Sequence, residues 1–449
     1  MILRLINSII ETIFYIQLLY MARYYNYREY LTYIYDKYNK SKPYYTKKFD
    51  KDESPEMFLT YFESMNVFPI YPRPIIMPLK KKEEQYDLEF KSSSNINFDV
   101  EKIGSMNKLL ESKIKEFDSY GDKFRKLANT DKIRRFFSYE IIDAIKPKFP
   151  QSKITNAWVK MYELLSTYNL FNQETKTINT FHLCEHPGAF VYAVQDYVKK
   201  NTKKPHEFIF QSLKPGNDFQ IFRPDPNLVK NYGKNLDYGP KSGDLTNPEN
   251  IRYYINHYKK NYYNLITSDC GLDYSDDFTK QELGMYKIFM GAFITAIGLS
   301  QQGSHYIFKL FSFNDLKTIE MLQIACLFYE EVDAVRLLTD KSGSGEIYIV
   351  CCNFNYKGKI DNAIDILLKY MESGDGFILS KFDEKFTSRI VKHHQLLSMR
   401  RITNYNQLLF RFFNNNYADE MPEVKIYVKN LTEYYTNYFL TFVGLISNK

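Results

Sequence analysis

Phe181-His182-Leu183-Cys184-Glu185-His186-Pro187-Gly188-Ala189-Phe190 is the stretch whose reading sets the fold. Its opening residues form a short apolar run, Pro-Gly interrupts it, and a helical pattern starts near Ala189. In doubly wound α/β sheets ligands sit at the carboxyl ends of strands, where a glycine turn lets the backbone approach closely. The segment is not a P-loop, because no Gly-Lys-Ser/Thr follows. Similar apolar runs bounded by turn residues recur at Phe181–Cys184, Glu207–Phe210, Asn264–Thr267, Tyr306–Lys309 and Ile347–Cys351, with helical stretches between them. Strands alternating with helices predict an α/β fold: a Rossmann-like, doubly wound sheet with helical N- and C-terminal extensions.

Around this core the chain divides into three regions. Residues 1–125 form a mainly helical extension, 126–356 the sheet domain, and 357–449 a second helical extension. Pro69, Pro72, Pro74 and Pro78 exclude a regular helix or central strand over Phe68–Pro78, and the polar run Ser92–Asn97 reads as a loop. A charged helical stretch follows from about Met106 to Ala144, carrying Lys123, Arg125, Lys126, Lys132, Arg134 and Arg135. The third region carries Arg389, Lys392, Arg400, Arg401 and Arg411, with a turn at Gly374 and Gly376. Charge runs are ordinarily solvated faces, although these are also the residues available for phosphate contacts. Met1–Ala22 is apolar at helical spacing but is interrupted by Arg4, Asn7, Glu11 and Gln17, so a helix packed on its own protein is expected rather than a membrane span.

Composition excludes whole classes of protein. At 449 residues, 44% hydrophobic and 25% charged, the chain has material for two or three domains and is not disordered. Forty Tyr and 35 Phe against one Trp, with abundant Lys, Asn and Ile, read as the imprint of an AT-rich genome. A net charge of +7 permits a nucleic-acid partner without demanding one. Cys184, Cys270, Cys326, Cys351 and Cys352 have no disulfide or zinc-finger spacing, which leads to the expectation of free thiols in a reducing compartment. His182, Cys184 and His186 form a His-x-Cys-x-His triplet, but a closed soft-metal site needs a fourth ligand and none lies near, so no metal is expected.

The quoted segment resembles the S-adenosylmethionine loop of the FtsJ/RrmJ-like RNA 2′-O-ribose methyltransferases, in the Leu-Cys-Glu-x-Pro-Gly-x-Phe form of viral and cap-1 members. Ser212-Leu213-Lys214-Pro215-Gly216-Asn217-Asp218-Phe219 and Gly243-Asp244-Leu245-Thr246-Asn247-Pro248-Glu249-Asn250-Ile251 are similar to further elements of the cap enzymes. The resemblance implies S-adenosyl-L-methionine as cofactor, contacted by Cys184, Glu185, His186, Pro187, Gly188, Ala189 and Phe190 and by Asp244 and Leu245. Two positions depart from the pattern: His182 stands where the family has an acid, and Ala189 where it has a second glycine. Glu185 is then the carboxylate available to the methionine ammonium.

Methylating a ribose hydroxyl requires in-line placement and removal of a proton. A lysine serves if a second cation and partial burial adjust its affinity for the proton, with carboxylates orienting both ammonium groups. Lys160, Asp269, Lys309 and Glu346 occur in contexts and in an order that resemble the family's Lys-Asp-Lys-Glu tetrad. The resemblance implies that Lys309 is the base, that Asp269 and Lys160 place it, and that Glu346 holds Lys160 or the ribose. Thr339-Asp340-Lys341-Ser342-Gly343-Ser344-Gly345 lacks the family's Ser-Arg, leaving Ser344 as a candidate substrate contact.

A 2′-hydroxyl acceptor implies RNA. The long flanks and the Pro-Glu-Asn-Ile element favour the first transcribed nucleotide of capped mRNA. Ribosomal or transfer RNA, and a non-catalytic RNA-binding or assembly subunit, are the alternatives. The viral style of the loop suggests a large DNA virus as source, acting in the host cytoplasm or packaged in the virion. Either extension is available to a protein partner, and no firm membrane signal is present.

Overall fold

A computed structural model describes residues 74–86, 90–94, 98, 101–121, 132–171, 175–216, 223–272, 274, 280–341, 343–413, 433 and 436–446. The expected helix at Met1–Ala22, Lys123, Arg125 and Lys126, and the Asn217–Phe219 element lie outside these residues. The elements are β1 (Ile75–Lys80), β2 (Phe90–Ser93), α1 (Glu101–Ser119), α2 (Lys132–Ile145), α3 (Asn156–Tyr168), β3 (Ile178–Leu183) and α4 (Ala189–Asn201). There follow β4 (His206–Gln211), α5 (Pro226–Tyr232), β5 (Leu236–Asp237), α6 (Pro248–Tyr258), β6 (Leu265–Ser268), α7 (Gln281–Leu299) and β7 (His305–Leu310). The chain continues through α8 (Leu316–Phe328), β8 (Tyr329–Arg336), β9 (Ile347–Phe354), α9 (Ile360–Ser373), β10 (Phe377–Leu379) and α10 (Glu384–Phe413).

Eight strands form one sheet in the order β1-β8-β9-β7-β6-β3-β4-β5. The half from β7 to β5 is parallel, whereas β9, β8 and β1 add antiparallel pairings. The chain order reverses between β3 and β6, which creates the crevice at the strand carboxyl ends where doubly wound sheets bind ligands. Alternate residues face opposite layers. Phe181 and Leu183 enter the core shared with α6, α7, α8 and α9, while Ile178 joins the other core with Trp158, Tyr162 and Phe190 from α3 and α4.

Helix starts follow local chemistry. Thr155 Oγ1 accepts from Trp158 N at the head of α3. Asp225, Asn247 and Asp315 cap α5, α6 and α8 in the same way, with proline beginning α5 and α6. Among the described residues only α7 is long and apolar enough to cross a membrane. It is a core helix here, and its residues from Phe289 to Ile297 are all buried.

The structure departs from the sequence expectations in three places. β8 was not anticipated as a strand, although its Tyr-Glu-Glu-Val-Asp-Ala-Val run alternates in part. Pro78 does lie in a strand, β1, but at the sheet edge, where a missing N–H is tolerated. Ser92 and Ser93, read as loop, end β2, which pairs with β10 in the region expected to be helical. β1 comes from the N-terminal flank, so that flank and the core share one sheet.

Candidate active site

The strand carboxyl ends gather the lysines and acids. Asp269 follows β6, Lys309 is the penultimate residue of β7, and Glu346 immediately precedes β9, which starts at that same end because it runs antiparallel to β7. Lys160 arrives from α3. Its Nζ lies 2.5 Å from Glu346 Oε1 and 3.1 Å from Asp340 Oδ1. Lys309 Nζ lies 2.5 Å from Asp269 Oδ1. The four expected residues therefore meet as two ion pairs, each largely withdrawn from solvent.

Burial works against the charge on Lys160, but Glu346 and Asp340 outweigh it and hold the ammonium above the usual lysine range. Glu346 resists burial in turn: Lys160 and Lys309, with a hydrogen bond from Tyr348 Oη at 3.0 Å, bring its carboxyl down to about 2. Asp269 moves the other way. Burial raises its carboxyl above the usual range, and Lys309 recovers only part of the shift.

Three further groups were not singled out from the sequence. Asp340 is the second carboxylate on Lys160. Glu163, three residues beyond Lys160 and so on the same face of α3, is fully buried. It accepts from Leu338 N at 2.7 Å and from the Thr339 hydroxyl at 2.8 Å, fixing the turn that delivers Asp340. Burial lifts its carboxyl to about 8. Arg336, at the end of β8, donates to the backbone oxygens of Glu346 and Lys341. The signal for Glu163 was present as an acid inside Met161-Tyr162-Glu163-Leu164-Leu165; nothing local marks Asp340 or Arg336.

The loop after β3 is built around Glu185. Gly188, at the N-cap of α4, has no side chain with which to cap it. Glu185 Oε1 takes over, accepting from Phe190 N at 2.7 Å and Val191 N at 3.1 Å. Its other oxygen, Oε2, is buried without a partner. Burial, reinforced by the charge of Asp269, pushes this carboxyl well up. An orphaned carboxylate oxygen at this position suits the ammonium of the cofactor.

Gln211, ending β4, ties the neighbouring loops together. Its Oε1 accepts from Cys184 N, its carbonyl accepts from Glu185 N, and its Nε2 donates to Gly243 O at 2.6 Å. Gly243 has φ +76°, and a Cβ there would lie 2.0 Å from Ser212 O, so only glycine lets the Asp244 loop close against β4. Asp244 Oδ1 accepts from the backbone and hydroxyl of Thr246, and Leu245 is buried. Pro187 O accepts from Asp225 N, and His186 Nε2 meets Tyr238 Oη at 3.3 Å. Ala189 and Phe190 begin α4 as buried residues, the Phe190 ring packing toward Tyr348.

The cysteine expectation needs correction: Cys184 and Cys270 form a disulfide, with Cα atoms 4.9 Å apart. Their separation of 86 residues carries no local pattern. The parallel register of β3 and β6 sets Leu183 opposite Ser268 and brings the residues beyond both strands together. The remaining cysteines are free and buried. His182 packs inside the sheet, with Nε2 at 2.8 Å from Thr180 Oγ1 and Nδ1 at 2.8 Å from Thr267 Oγ1. Burial holds its pKa well down, so the imidazole is a neutral structural group. Among the basic residues, Arg389 is taken by Glu84, at 2.5 and 2.7 Å, whereas Arg400 and Arg401 line a cavity beside Glu346 together with the candidate substrate contact Ser344.

Residues 154–354 match the FtsJ-like methyltransferase family, and the match contains all four tetrad positions. Uncharacterized protein L511 of Acanthamoeba polyphaga mimivirus is 24% identical over 312 residues, covering 68% of this chain and 39% of that protein. Cap-specific mRNA (nucleoside-2'-O-)-methyltransferase 2 of Drosophila melanogaster is 25% identical over 232 residues, covering 49% of this chain and 33% of the relative. Probable methyltransferase EP424R of African swine fever virus (isolate Pig/Kenya/KEN-50/1950) is 28% identical over 211 residues, 44% of this chain and 48% of the relative. The chain thus spans less than half the length of each of these relatives. With its doubly wound sheet and its family match, the chain carries an FtsJ-like methyltransferase domain over residues 154–354.

Proposed function

We propose that this chain is an S-adenosylmethionine-dependent RNA 2′-O-ribose methyltransferase whose acceptor is the first transcribed nucleotide of capped mRNA. The observation that carries the reading is the convergence of Lys160–Glu346 and Lys309–Asp269 at the carboxyl ends of β6 and β7, beside the Glu185 loop. The cap preference is supported by relatives named as cap-specific mRNA methyltransferases in fly, orangutan and mouse. When bound, the cofactor supplies an electrophilic methyl group. Glu185, the 184–190 loop and the Asp244–Leu245 turn are the groups that would hold it.

Lys160 is fixed by two carboxylates and serves as a stationary cation that steadies charge on the acceptor oxygen. Lys309, in its neutral amine form, is the residue that takes the 2′-hydroxyl proton at Nζ and becomes the ammonium, while Asp269 orients the amine through its short contact. Glu346 and Tyr348 keep Lys160 in place. Proton removal of this kind contributes on the order of 10²–10⁴-fold, and positioning the remainder.

The test is methyl transfer from labelled S-adenosylmethionine to short RNAs, capped and uncapped, by wild type and Lys309→Ala. The expected result is label on the first nucleotide's 2′-oxygen in capped RNA alone, lost in the variant. Equal labelling of both RNAs would move the acceptor to ribosomal or transfer RNA. Absence of both cofactor binding and transfer would end the enzymatic reading.

A further inference from the structure

Outside the tetrad, one cavity is enclosed by α10, the turn after β7 and the segment before β9. It opens to solvent, and its lining includes Asn314, Arg336, Ser344, Gly345, His394 and Arg401. Two of its three arginines, Arg336 and Arg401, differ. Arg336 is 5% exposed and committed, donating to Glu346 O and Lys341 O with Asp340 Oδ2 at 3.7 Å from Nε. Arg401 has no hydrogen-bond or carboxylate partner among the described residues, and its Nε is buried. The nearby acids do not serve it: Asp340 and Glu346 are engaged by Lys160 and Arg336.

His394 is 2% exposed and adds a second unpaired atom. Its Nε2 lies 2.6 Å from Asn107 Oδ1 and 2.9 Å from Asn314 Oδ1, while Nδ1 has no partner. A guanidinium nitrogen buried without an acceptor is costly, and the group's planar fork matches the oxygens of a phosphate. A nucleotide offers both complements, phosphate oxygens for Arg401 and hydroxyl groups for a ring nitrogen. Gly345 makes the approach possible: a Cβ there would sit 2.3 Å from Phe311 O and 3.0 Å from Arg401 Nη1. Because Gly345 adjoins Glu346 and Phe311 follows Lys309 by two residues, the cavity lies within roughly one nucleotide of the tetrad.

We propose that this cavity seats the phosphodiester flanking the methylated nucleotide, with Arg401 as its clamp. α10 lies outside the matched 154–354 segment, so this contact is an addition made by the C-terminal region. The proposal rests on RNA being the acceptor.

The test uses the intact chain and a short capped RNA, either native or carrying one neutral methylphosphonate in place of the phosphodiester on the 3′ side of the acceptor nucleotide. Binding is measured for wild type, Arg401→Ala and Arg401→Lys, with cofactor affinity as the check on folding. For wild type, neutralising that linkage weakens binding on the order of 10-fold. Arg401→Ala loses a similar factor on native RNA, is indifferent to that neutral linkage, and shows a salt slope lower by about 1. Arg401→Lys recovers part of the loss. If the two losses add instead of overlapping, or if Arg401→Ala binds native RNA like wild type, the clamp is overturned. Should Arg401→Ala lose cofactor binding, Arg401→Lys decides alone: undiminished sensitivity to the neutral linkage with wild-type affinity overturns the proposal. Wild type that neither binds nor methylates RNA removes the acceptor reading and the clamp with it. Wild type that methylates RNA while the variants fail to discriminate removes the clamp only.

Discussion

Lys160 and Lys309 are the same residue type a few ångströms from a carboxylate, yet their surroundings assign them different work. Lys160 comes from a helix and has two acids within ion-pair distance, Glu346 and Asp340. Lys309 comes from a strand and has one, Asp269, with the Phe311 ring 5.3 Å away on another side. A lysine held by two carboxylates in a buried setting stays charged. In the proposed mechanism the lysine with the single acid, Asp269, is the one that handles the proton. On that proposal, the number of carboxylates delivered to each amine separates the anchor from the base.

Several measurements sharpen or break that contrast. The largest effect is expected for Lys309→Ala: transfer falls by about 10³-fold or more while cofactor affinity, read by calorimetry, stays near wild type. A wild-type rate in that variant would remove Lys309 from the chemistry. Lys160→Ala should cost on the order of 10²-fold in single-turnover transfer, and Asp340→Asn less than about 10-fold, because Glu346 remains. Equal losses in the two variants would mean that Lys160 works only when held by both acids.

Glu185 tests the cofactor side. Its carboxyl is raised by burial in the free protein, so a cationic ligand that favours the ionised form displaces a proton on binding. Affinity for S-adenosylmethionine should therefore increase with pH. Glu185→Gln should bind about 10-fold more weakly and lose that pH dependence. An unchanged pH profile would place the ammonium elsewhere.

The smallest effect concerns Glu163, which supports the anchor from behind. Its folded pKa of about 8 exceeds the ordinary value of 4.5, so the folded state binds more protons between those pH values. Its contribution to stability is therefore fully present below pH 4.5 and declines as pH rises toward 8. Chemical denaturation of Glu163→Gln across this window should show a flatter pH profile than wild type. A parallel profile would mean that another group carries the dependence.

Much of the fold was legible because its signals are local. The apolar runs at Phe181–Cys184, Glu207–Phe210, Asn264–Thr267, Tyr306–Lys309 and Ile347–Cys351 correspond to β3, β4, β6, β7 and β9, and each breaks at turn residues. β8 escaped notice because Glu330, Glu331 and Asp333 interrupt its apolar pattern, and β1 because Pro78 argues against a strand anywhere but an edge. Gly243 and Gly345 were visible as letters, but the need for glycine at each arises from a carbonyl on a distant segment.

By itself the sequence determined five strands of the sheet, β3, β4, β6, β7 and β9, and the order of Lys160, Asp269, Lys309 and Glu346. These depend on neighbours within a turn or two, or on a resemblance carried by contiguous motifs. Tertiary structure alone decided that Cys184 meets Cys270, that Asp340 joins Lys160, that Glu163 holds the turn beneath it, and that Arg401 is left without an acceptor beside Glu346. Each of these is a contact between segments far apart along the chain. The physical reason is that strand order and register choose which strand ends become neighbours, and residue spacing does not encode that choice.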